Sequence, residues 1–294
     1  MTFISDQVRA SGSLIGLAIG DAFGAPLEGS PAPRERITEM LPGGRLPRRK
    51  GEVTDDTLQA LAVAESLVSC HGFDPGDMMA RFVSMFRKSP QWFGPTSSTV
   101  FSLVIAGTPF QDASRIAHER LGGSRSNGSV MRGFPVGIFY APSSVTEVSI
   151  ACSRLTHYDM AAAHASAFLN QMVSRMCRGR SRDEAFRAAI SACRDAGVAR
   201  LLGNYRACPP EPSLDALPAS HAALYCFMHA GSFEEALTDA VNLGGDADTV
   251  GACCGALAGA CWGAGAIPDR WIRVLEDLPH IGSVARDLAE SAEE

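Results

Sequence analysis

Two short acidic segments, far apart in the chain, carry the side chains in this sequence that are best suited to chemistry. The first reads Val53-Thr54-Asp55-Asp56-Thr57, and the second reads Gly244-Gly245-Asp246-Ala247-Asp248-Thr249. In each of them Asp and Thr precede an apolar run, which is typical of a helix N-terminus. Their oxygens can accept hydrogen bonds from free backbone N–H groups, and the helix dipole favours negative charge there. Helix capping is therefore a sufficient explanation for either segment alone.

The oxygen content of the two segments together indicates more than capping. Neither segment contains His or Cys, so all the donors are hard oxygens, which Mg²⁺ and Mn²⁺ prefer. Two such ions would neutralise four converging carboxylates. The segments supply four carboxylates and two hydroxyls, those of Asp55, Asp56, Asp246, Asp248, Thr54 and Thr249. The pattern predicts a site for divalent metal ions.

Five motifs in a fixed order resemble the ADP-ribosylglycohydrolase family, and the resemblance runs the length of the chain. Several short motifs in one order rarely arise by chance. The motifs are Gly16-Leu17-Ala18-Ile19-Gly20-Asp21-Ala22-Phe23-Gly24 followed by Glu28, Thr54-Asp55-Asp56-Thr57, Ser126-Asn127-Gly128-Ser129-Val130-Met131-Arg132, Thr156-His157-Tyr158-Asp159, and Gly244-Gly245-Asp246-Ala247-Asp248-Thr249-Val250-Gly251.

The resemblance implies a fold, an activity and a set of metal ligands. The fold would be all-α, a compact orthogonal helix bundle in which residues 1–294 form a single domain. The activity would be hydrolysis of the glycosidic bond between ADP-ribose and a protein side chain or small adduct. Two divalent cations, Mg²⁺ or Mn²⁺, would be held by Thr54, Asp55, Asp56, Asp246, Asp248 and Thr249.

Cleavage of a glycosidic bond needs groups that move protons, and three carboxylates are candidates for that role. Glu28 follows the first motif where the family places a glutamate facing the ions, so we expect it to be the acid/base. Asp55 and Asp56 would accept a proton from the attacking water. The alternative for Glu28 is an exposed loop carboxylate, since Glu is mostly exposed. Asp21 is better explained as a capping or supporting carboxylate.

The segment Ser126-Asn127-Gly128-Ser129 reads as a turn before a helix that starts near Val130. Free N–H groups at a helix start can bind a pyrophosphate, and the alternative is an ordinary Ser/Asn cap. With the resemblance, substrate binding by Ser126, Asn127, Gly128 and Ser129 is favoured. Arg132 would contact the ligand or pair with a nearby acid, and the pairing is favoured. His157 is expected to contact the substrate, although a lone His is more often structural.

One departure from the family pattern concerns the substrate. After Trp92, the arginine-specific bacterial members carry an acidic residue just before paired threonines. Here the stretch reads Phe93-Gly94-Pro95-Thr96-Ser97-Ser98, with Pro95 in that place. A guanidinium pairs well with a carboxylate, so an arginine-linked substrate is in doubt. Alternatives that keep the fold are action on another ADP-ribosyl or nucleoside-like metabolite, and a non-enzymatic role like that of the related lens crystallins.

Composition excludes several classes of protein. The 294 residues are 46% hydrophobic, which is enough for one large core. A net charge of −6 argues against nucleic-acid binding as the main activity. The segment Met1-Thr2-Phe3-Ile4-Ser5-Asp6 has no features of a signal peptide. The 9 cysteines lack paired spacing, so we expect reduced thiols in a cytoplasmic protein. No membrane partner is expected, and a monomer is favoured.

Helical periodicity dominates the chain. It predicts helices over 159–178, 183–196 and 233–241, and it favours helix over strand for 99–105. The connectors 31–51, 89–96 and 204–218 are rich in Gly and Pro, and loops of this length often line active sites.

Glycine recurs at every fourth residue near each end of the chain. The two sets are Gly12, Gly16, Gly20, Gly24 and Gly251, Gly255, Gly259, Gly263. On a helix each set forms one smooth face, so we expect these two helices to cross closely in the core. The alternative for residues 250–267 is a membrane span, which their Gly and Ala content disfavours.

Overall fold

The chain folds into helices joined by loops. The computed structural model describes residues 5–293, and the following bounds are observed. The helices are α1 (Asp6–Gly24), α2 (Asp55–Cys70), α3 (Pro75–Lys88), α4 (Pro95–Ile105), α5 (Phe110–Arg120), α6 (Gly128–Met131), α7 (Phe134–Phe139), α8 (Val145–Arg154), α9 (Met160–Cys177), α10 (Arg182–Ala192), α11 (Ala196–Gly203), α12 (Ala216–His229), α13 (Phe233–Val241), α14 (Ala247–Trp262), α15 (Asp269–Ile272) and α16 (Leu278–Glu290). Short 3₁₀ turns occupy Ala25–Leu27, Pro90–Trp92, Tyr205–Ala207 and Ala264–Ala266.

The all-α prediction is confirmed. Between residues 5 and 293 the extended backbone is limited to isolated bridges, such as the one between Ser30 and Gly245. The helices predicted over 159–178 and 233–241 are α9 and α13, and residues 99–105 lie in α4. All 9 cysteines are free thiols. Residues 1–4 of the N-terminal segment that was judged on composition lie outside the described residues.

One helix prediction was too long. The helix expected over 183–196 is α10, which ends at Ala192, and a new helix, α11, begins at Ala196. The break occurs because the carboxylate of Asp195 accepts a hydrogen bond from the N–H of Val198, at 2.9 Å, and so starts α11. An Asp that caps a helix cannot also continue the previous one, since its backbone is extended.

α1 and α14 form the centre of the molecule, and glycine makes their close approach possible. A Cβ built on Gly16, Gly20 or Gly24 would overlap the backbone of α14 at Gly255, Gly251 and Ala247 in turn. The reverse also holds, because a Cβ on Gly259 would overlap the carbonyl of Gly12. Ser13, within α1, donates to the carbonyl of Ala256 at 3.0 Å. The predicted crossing of the two glycine faces is confirmed.

One detail of the glycine faces differs from the prediction. Gly263 does not extend the face of α14, because the helix ends at Trp262 and Gly263 has a φ of 77°, outside the helical region.

The stretch considered for a membrane span, residues 250–267, is α14 and a following turn, and α14 is largely buried in the protein. A different segment, Asp6–Leu27, is long and apolar enough to cross a membrane, but 83% of its apolar window is buried within the fold.

The antiparallel pairing of α1 and α14 brings two loops together at one end of the core. The 3₁₀ turn Ala25–Leu27 follows α1, and Gly244-Gly245 precedes α14. The N–H of Gly29 donates to the carbonyl of Gly245, and the N–H of Gly245 donates to the carbonyl of Ser30, both at 2.7 Å. Gly244 and Gly245 both have positive φ values, which glycine adopts without strain. The loop that carries Glu28 is thereby fixed beside the second acidic segment.

Candidate functional site

The two acidic segments face one cavity of about 390 Å³ at this end of the core. α2 and α14 both begin at its floor, so the residues of their first turns point toward it. The loop after α1, the connectors before α2 and α4, and the turn before α6 form its walls. The lining residues that the sequence had singled out are Glu28, Asp55, Asp56, Pro95, Ser126, Asn127, Gly128, His157, Asp246, Asp248 and Thr249.

The start of α2 is held by a buried carboxylate on α1. Asp21 accepts hydrogen bonds from the N–H of Thr54 at 2.8 Å and of Thr57 at 3.1 Å, and from the Thr57 hydroxyl. The hydroxyl of Thr54 caps the helix by accepting from the N–H of Asp56 at 3.2 Å. The interpretation of Asp21 as a capping carboxylate is confirmed. Thr54 lies beneath the cavity and does not line it, unlike the other five predicted ligands.

Because Asp21 and Thr54 satisfy the start of α2, its acidic residues are free for another role. Asp55 is half-buried and accepts one hydrogen bond, from Nε2 of Gln59 at 2.9 Å. Asp56 is buried, and its Oδ2 has no hydrogen-bond partner in the described part of the chain. A buried carboxylate oxygen without a partner is costly, so capping does not explain the pair of aspartates.

The start of α14 also argues against a simple capping role. Asp246 occupies the cap position, yet its side chain makes no capping hydrogen bond and instead accepts from Nδ2 of Asn127. Asp248 accepts one backbone hydrogen bond, from the N–H of the next residue, Thr249, at 3.0 Å. Asp246 and Asp248 are only 8% and 6% exposed. Their carboxylates therefore face the cavity and each other.

The electrostatic state of this cluster favours a cation. Burial, and then the charge of Asp21, raise the pKa of Asp55 to about 7. Burial also raises the pKa of Asp246 to about 6, although the bond from Asn127 opposes the shift. For Asp56 and Asp248 the pKa is well above the usual range, because burial and neighbouring carboxylates both disfavour the charged form. A bound cation would remove this penalty.

The donor set fits Mg²⁺ or Mn²⁺. Every candidate donor at the floor of the cavity is a carboxylate or hydroxyl oxygen, as these ions prefer. The unpartnered Oδ2 of Asp56 is a free ligand atom. In residues 5–293 no three His, Cys, Asp or Glu side chains already form a complete metal cluster. Small side-chain movements would therefore have to accompany binding.

Glu28 is at the edge of the cavity. It follows the 3₁₀ turn Ala25–Leu27, and its side chain is half-buried and lines the cavity. It accepts no hydrogen bond within residues 5–293, so its carboxyl group is available to a ligand. The alternative of a freely exposed loop carboxylate is not supported. Its position in the site agrees with the prediction, while its chemical role stays a prediction.

The turn before α6 contributes one wall. The backbone N–H groups of Gly128 and Ser129 donate to no protein acceptor in the described residues, and of these two residues Gly128 lines the cavity, so its N–H is available to a ligand. A Cβ on Gly128 would come within 3.0 Å of Cε1 of His157, so glycine allows these two residues to approach. The side chain of Ser129 is buried and accepts from Ser153 at 2.8 Å, so it does not line the cavity.

Two expectations about this segment need correction. The helix begins at Gly128, two residues earlier than predicted, and it is only 4 residues long, so its dipole is weak. Arg132 follows that helix and has no acidic partner in residues 5–293. Its buried guanidinium donates to Gln59 Oε1 at 2.9 Å and to Thr156 Oγ1 at 2.6 Å, and it lies over the ring of Phe82. Burial lowers the pKa of Arg132 to about 10.

Arg132 connects two functional segments through its partners. Gln59, which accepts from Arg132, donates in turn to Asp55. Thr156 bonds Nδ1 of His157 at 2.7 Å, and Nε2 of His157 is 3.0 Å from Oγ of Ser126. Burial and the charge of Arg132 hold the pKa of His157 well below its usual value, so the ring is neutral. His157 lines the cavity as a neutral hydrogen-bonding group.

The three Gly/Pro-rich connectors all reach the cavity, as loops of their length often do. The connector 31–51 contributes Arg45, Leu46 and Arg48, the connector 89–96 contributes residues 91–96, and the connector 204–218 contributes Leu214. Sequence reasoning had identified the connectors but, apart from Pro95, none of these side chains. No sequence signal distinguishes Arg45 and Arg48 from the other arginines of their connector.

Two larger cavities lack this set of carboxylates. One of about 630 Å³ lies around Tyr205 and Arg206. The other, of about 800 Å³, lies between α2, α3 and α16 and shares Trp92 and Phe93 with the acidic cavity. The second cavity also carries acidic residues from both ends of the chain, but its Glu52, Glu65 and Glu276 are paired with Arg49, Arg81 or His280, unlike the carboxylates of the acidic cavity. The smaller acidic cavity is therefore the candidate functional site.

The chain is similar in sequence to several known proteins. The sequence model of the ADP-ribosylglycohydrolase family matches residues 4–294. The chain is 31% identical to ADP-ribosyl-[dinitrogen reductase] glycohydrolase of Rhodospirillum rubrum, over 94% of this chain and 93% of that protein. It is 30% identical to ADP-ribosylarginine hydrolase Tri1 of Pseudomonas putida (strain GB-1), over 97% of this chain and 78% of that protein.

The chain is also similar to a more distant relative and to a solved structure. Identity to ADP-ribosylhydrolase ARH3 of Danio rerio is 27%, over 95% of this chain and 90% of that protein. A solved structure described as an ADP-ribosylglycohydrolase-related protein complex is 34% identical and superimposes with a TM-score of 0.86, covering 98% of this chain and 99% of that chain.

Proposed function

Because the chain belongs to the ADP-ribosylglycohydrolase family, we propose that it hydrolyses the glycosidic bond between ADP-ribose and a protein side chain or small adduct, using two divalent cations. The names of its relatives identify them as glycohydrolases that act on ADP-ribosyl groups. The observation that carries the proposal is the set of buried carboxylates at the floor of one cavity. A purely structural protein has no need to keep such a set, since desolvated carboxylates destabilise the fold.

The proposed cations would be held by the oxygens of the two acidic segments. A divalent ion supplies an electropositive centre that binds ribose hydroxyls and lowers the pKa of a water molecule. Five of the predicted ligands line the cavity: Asp55, Asp56, Asp246, Asp248 and Thr249. Thr54 would need to turn its hydroxyl away from the N–H of Asp56 to join them. In the structure, the role of Thr54 is to cap the start of α2.

Protons in the reaction are assigned to carboxylates of the chain. Glu28 lies at the edge of the cavity with no competing partner, and we assign it the proton transfer at the leaving group. Asp55 and Asp56 would accept the proton of the attacking water.

The pyrophosphate of the substrate would bind at the turn before α6. The free N–H group of Gly128 provides a donor, and Ser126 and Asn127 line the same wall. Neutral His157 would orient Ser126 and contact the substrate. Because α6 is short, the donors themselves and not the helix dipole would have to supply the affinity.

Release of ADP-ribose from defined substrates tests the proposal. The purified protein should release ADP-ribose from at least one of an arginine-linked peptide, a serine-linked peptide and a small O-linked adduct when Mg²⁺ or Mn²⁺ is present. Activity should fall below detection after chelation and return when either ion is added back. If no substrate is cleaved with either ion, the catalytic proposal is wrong and a non-enzymatic role gains support.

A further inference from the structure

A small basic turn lies at the mouth of the acidic cavity. The N–H of Gly43 donates to the carbonyl of Arg48 at 2.9 Å and closes a turn over residues 44–47. Arg45, Leu46 and Arg48 of this turn line the cavity. In the described part of the chain, Arg45 and Arg48 are the only basic residues that line the cavity apart from His157, which is neutral.

The turn is fixed in place on both sides of the acidic floor. A Cβ on Gly44 would come within 2.9 Å of the carbonyl of Ala25 and of Cα of Pro26, so the turn packs on the residues just before Glu28. Nη1 of Arg48 is 3.4 Å from the carbonyl of Val53, which precedes the first acidic segment. The turn that carries the two arginines therefore packs beside the loop of the candidate acid/base, and Glu28 and both arginines line the same cavity.

Neither arginine has an acidic partner within residues 5–293. Other arginines of the same surface do pair: Arg49, the next residue, bonds Glu52 and Glu276, and Arg36 bonds Asp239. Arg45 is exposed and makes no hydrogen bond in the described chain, and Arg48 makes only the long bond to a backbone carbonyl. Two guanidinium groups are thus free to bind an anion at the entrance.

We infer that Arg45 and Arg48 bind an anionic group on the leaving-group side of the scissile bond, so the enzyme prefers substrates with an acidic aglycone over those linked through a guanidinium. This inference rests on the proposed function and specifies its substrate class. The anion would be a carboxylate of an acidic peptide or the phosphate of a small adduct. An arginine-linked substrate would bring its positive charge toward two fixed positive charges and, at Pro95, would meet no carboxylate.

Matched substrates test the inference. Three peptides carry ADP-ribose on the same serine and differ only in having acidic, neutral or basic flanking residues, and a fourth substrate carries a phosphate at the anomeric carbon. Both kcat/KM and the binding of each substrate by fluorescence anisotropy are measured, so that affinity is known even without turnover. The variants are Arg45→Glu, the double variant Arg45→Glu/Arg48→Glu, and the control Lys50→Glu, an exposed neighbour that does not line the cavity.

The wild type should bind and cleave the acidic peptide or the phosphate adduct best. The double variant should lose about tenfold or more on that substrate and change less than about twofold on the neutral peptide, as expected for one charge-assisted contact. Lys50→Glu should behave as the wild type. Preference for the peptide or for the adduct identifies the source of the anion.

Other results overturn the inference. Equal losses on all substrates, together with weaker binding of free ADP-ribose, would assign the arginines to the pyrophosphate. Equal wild-type affinity for acidic and basic peptides would show that no anion is bound there. If nothing is cleaved but the acidic preference appears in binding, the proposed hydrolysis fails while the inference about the arginines holds. A thermal melt confirms that each variant is folded.

Discussion

At the scale of single residues, the candidate site depends on carboxylates that the fold removes from water without giving them basic partners. Asp56 and Asp248 are both buried. Burial and the charges of neighbouring carboxylates raise the pKa of each of them. Such an arrangement is unfavourable in the protein alone. It becomes favourable when cations bind, so substitutions that remove one charge should have opposite effects on stability and on activity.

Asp248→Asn should separate these effects. Asn can keep the hydrogen bond to the N–H of Thr249, so the start of α14 should be intact. With chelator present, Tm should be unchanged or higher than that of the wild type, because a desolvated acid is gone. Turnover should fall about a hundredfold or more, since the ions would be under-neutralised. Tm and initial rates are the measurements.

A matched control for this variant is Asp74→Asn. Asp74 caps α3 through the N–H groups of Gly76 and Asp77, is exposed and lies outside the cavity. Asn caps helices about as well as Asp, so neither Tm nor turnover should change appreciably. If Asp248→Asn unfolds the protein but the remaining folded fraction is active, Asp248 has a capping role and is not a ligand.

Glu28→Gln should distinguish a catalytic group from a supporting one. A proton donor acts mainly in the transition state, so kcat should fall about a hundredfold or more while the Kd for ADP-ribose and the metal content stay nearly unchanged. Glu35→Gln, an exposed acid in the same connector, is the control and should have wild-type kinetics. Weaker ADP-ribose binding without a change in kcat would make Glu28 a binding residue.

At the scale of elements, the contact between α1 and α14 determines where the site residues meet. Gly20 lies one turn before the end of α1. A Cβ on Gly20 would overlap the carbonyl of Gly251, which lies one turn into α14. Any separation of the two helices would move the loop of Glu28 away from Asp246 and Asp248. The helices therefore act as a rigid base for the site.

Gly20→Ala should destabilise the protein by about 1–3 kcal/mol, the usual cost of adding a methylene to a packed core. Gly282→Ala is the matched control, since Gly282 lies inside α16 with nothing near its Cβ, and there Ala should stabilise by about 0.5–1 kcal/mol. Urea unfolding measures both changes. Equal small effects would contradict the close helix contact.

How far the sequence alone specified these elements differs from place to place. Glycine at every fourth residue of α1 and α14 predicted their contact, because such a pattern is typical of helices whose backbones pack closely. The helix break at Asp195 was harder to predict. In a helical pattern, an acidic residue that caps a new helix cannot be distinguished from one inside a helix, and the hydrogen bond from the N–H of Val198 is visible only in the structure. The partners of Arg132 were hidden for a similar reason: Gln59 and Thr156 are neutral and distant in sequence.

At the scale of the whole molecule, the cavity is assembled from segments spread along most of the chain. The acidic residues that line the cavity were identified from sequence because their residue types point to one chemistry. The basic turn at Arg45 and Arg48 was not, because nothing in a solvent-exposed Gly/Pro connector indicates which way its side chains face. Only the packing of Gly44 on Ala25 and Pro26 directs them to the cavity.

A ligand that contacts several of these segments should stabilise the entire fold. Free ADP-ribose should raise Tm, and ribose should do so only weakly, if the N–H of Gly128 and its neighbours on this wall bind the pyrophosphate as proposed. Differential scanning fluorimetry over a concentration series measures the shift. Gly128→Ala, whose Cβ would approach His157, should reduce the ADP-ribose shift, and equal shifts for ADP-ribose and ribose would remove the phosphate contact from the proposal.

The crossing of α1 with α14 also has a consequence for synthesis. α1 is complete after residue 24, yet the helix that covers its glycine face begins only at Ala247. Throughout most of translation, the nascent chain therefore carries an uncovered apolar helix and half of an acidic site. Such late, long-range closure slows folding and leaves α1 open to chaperones. The full set of site carboxylates is present only after Asp248 has been synthesised, so chains that stop earlier should lack activity.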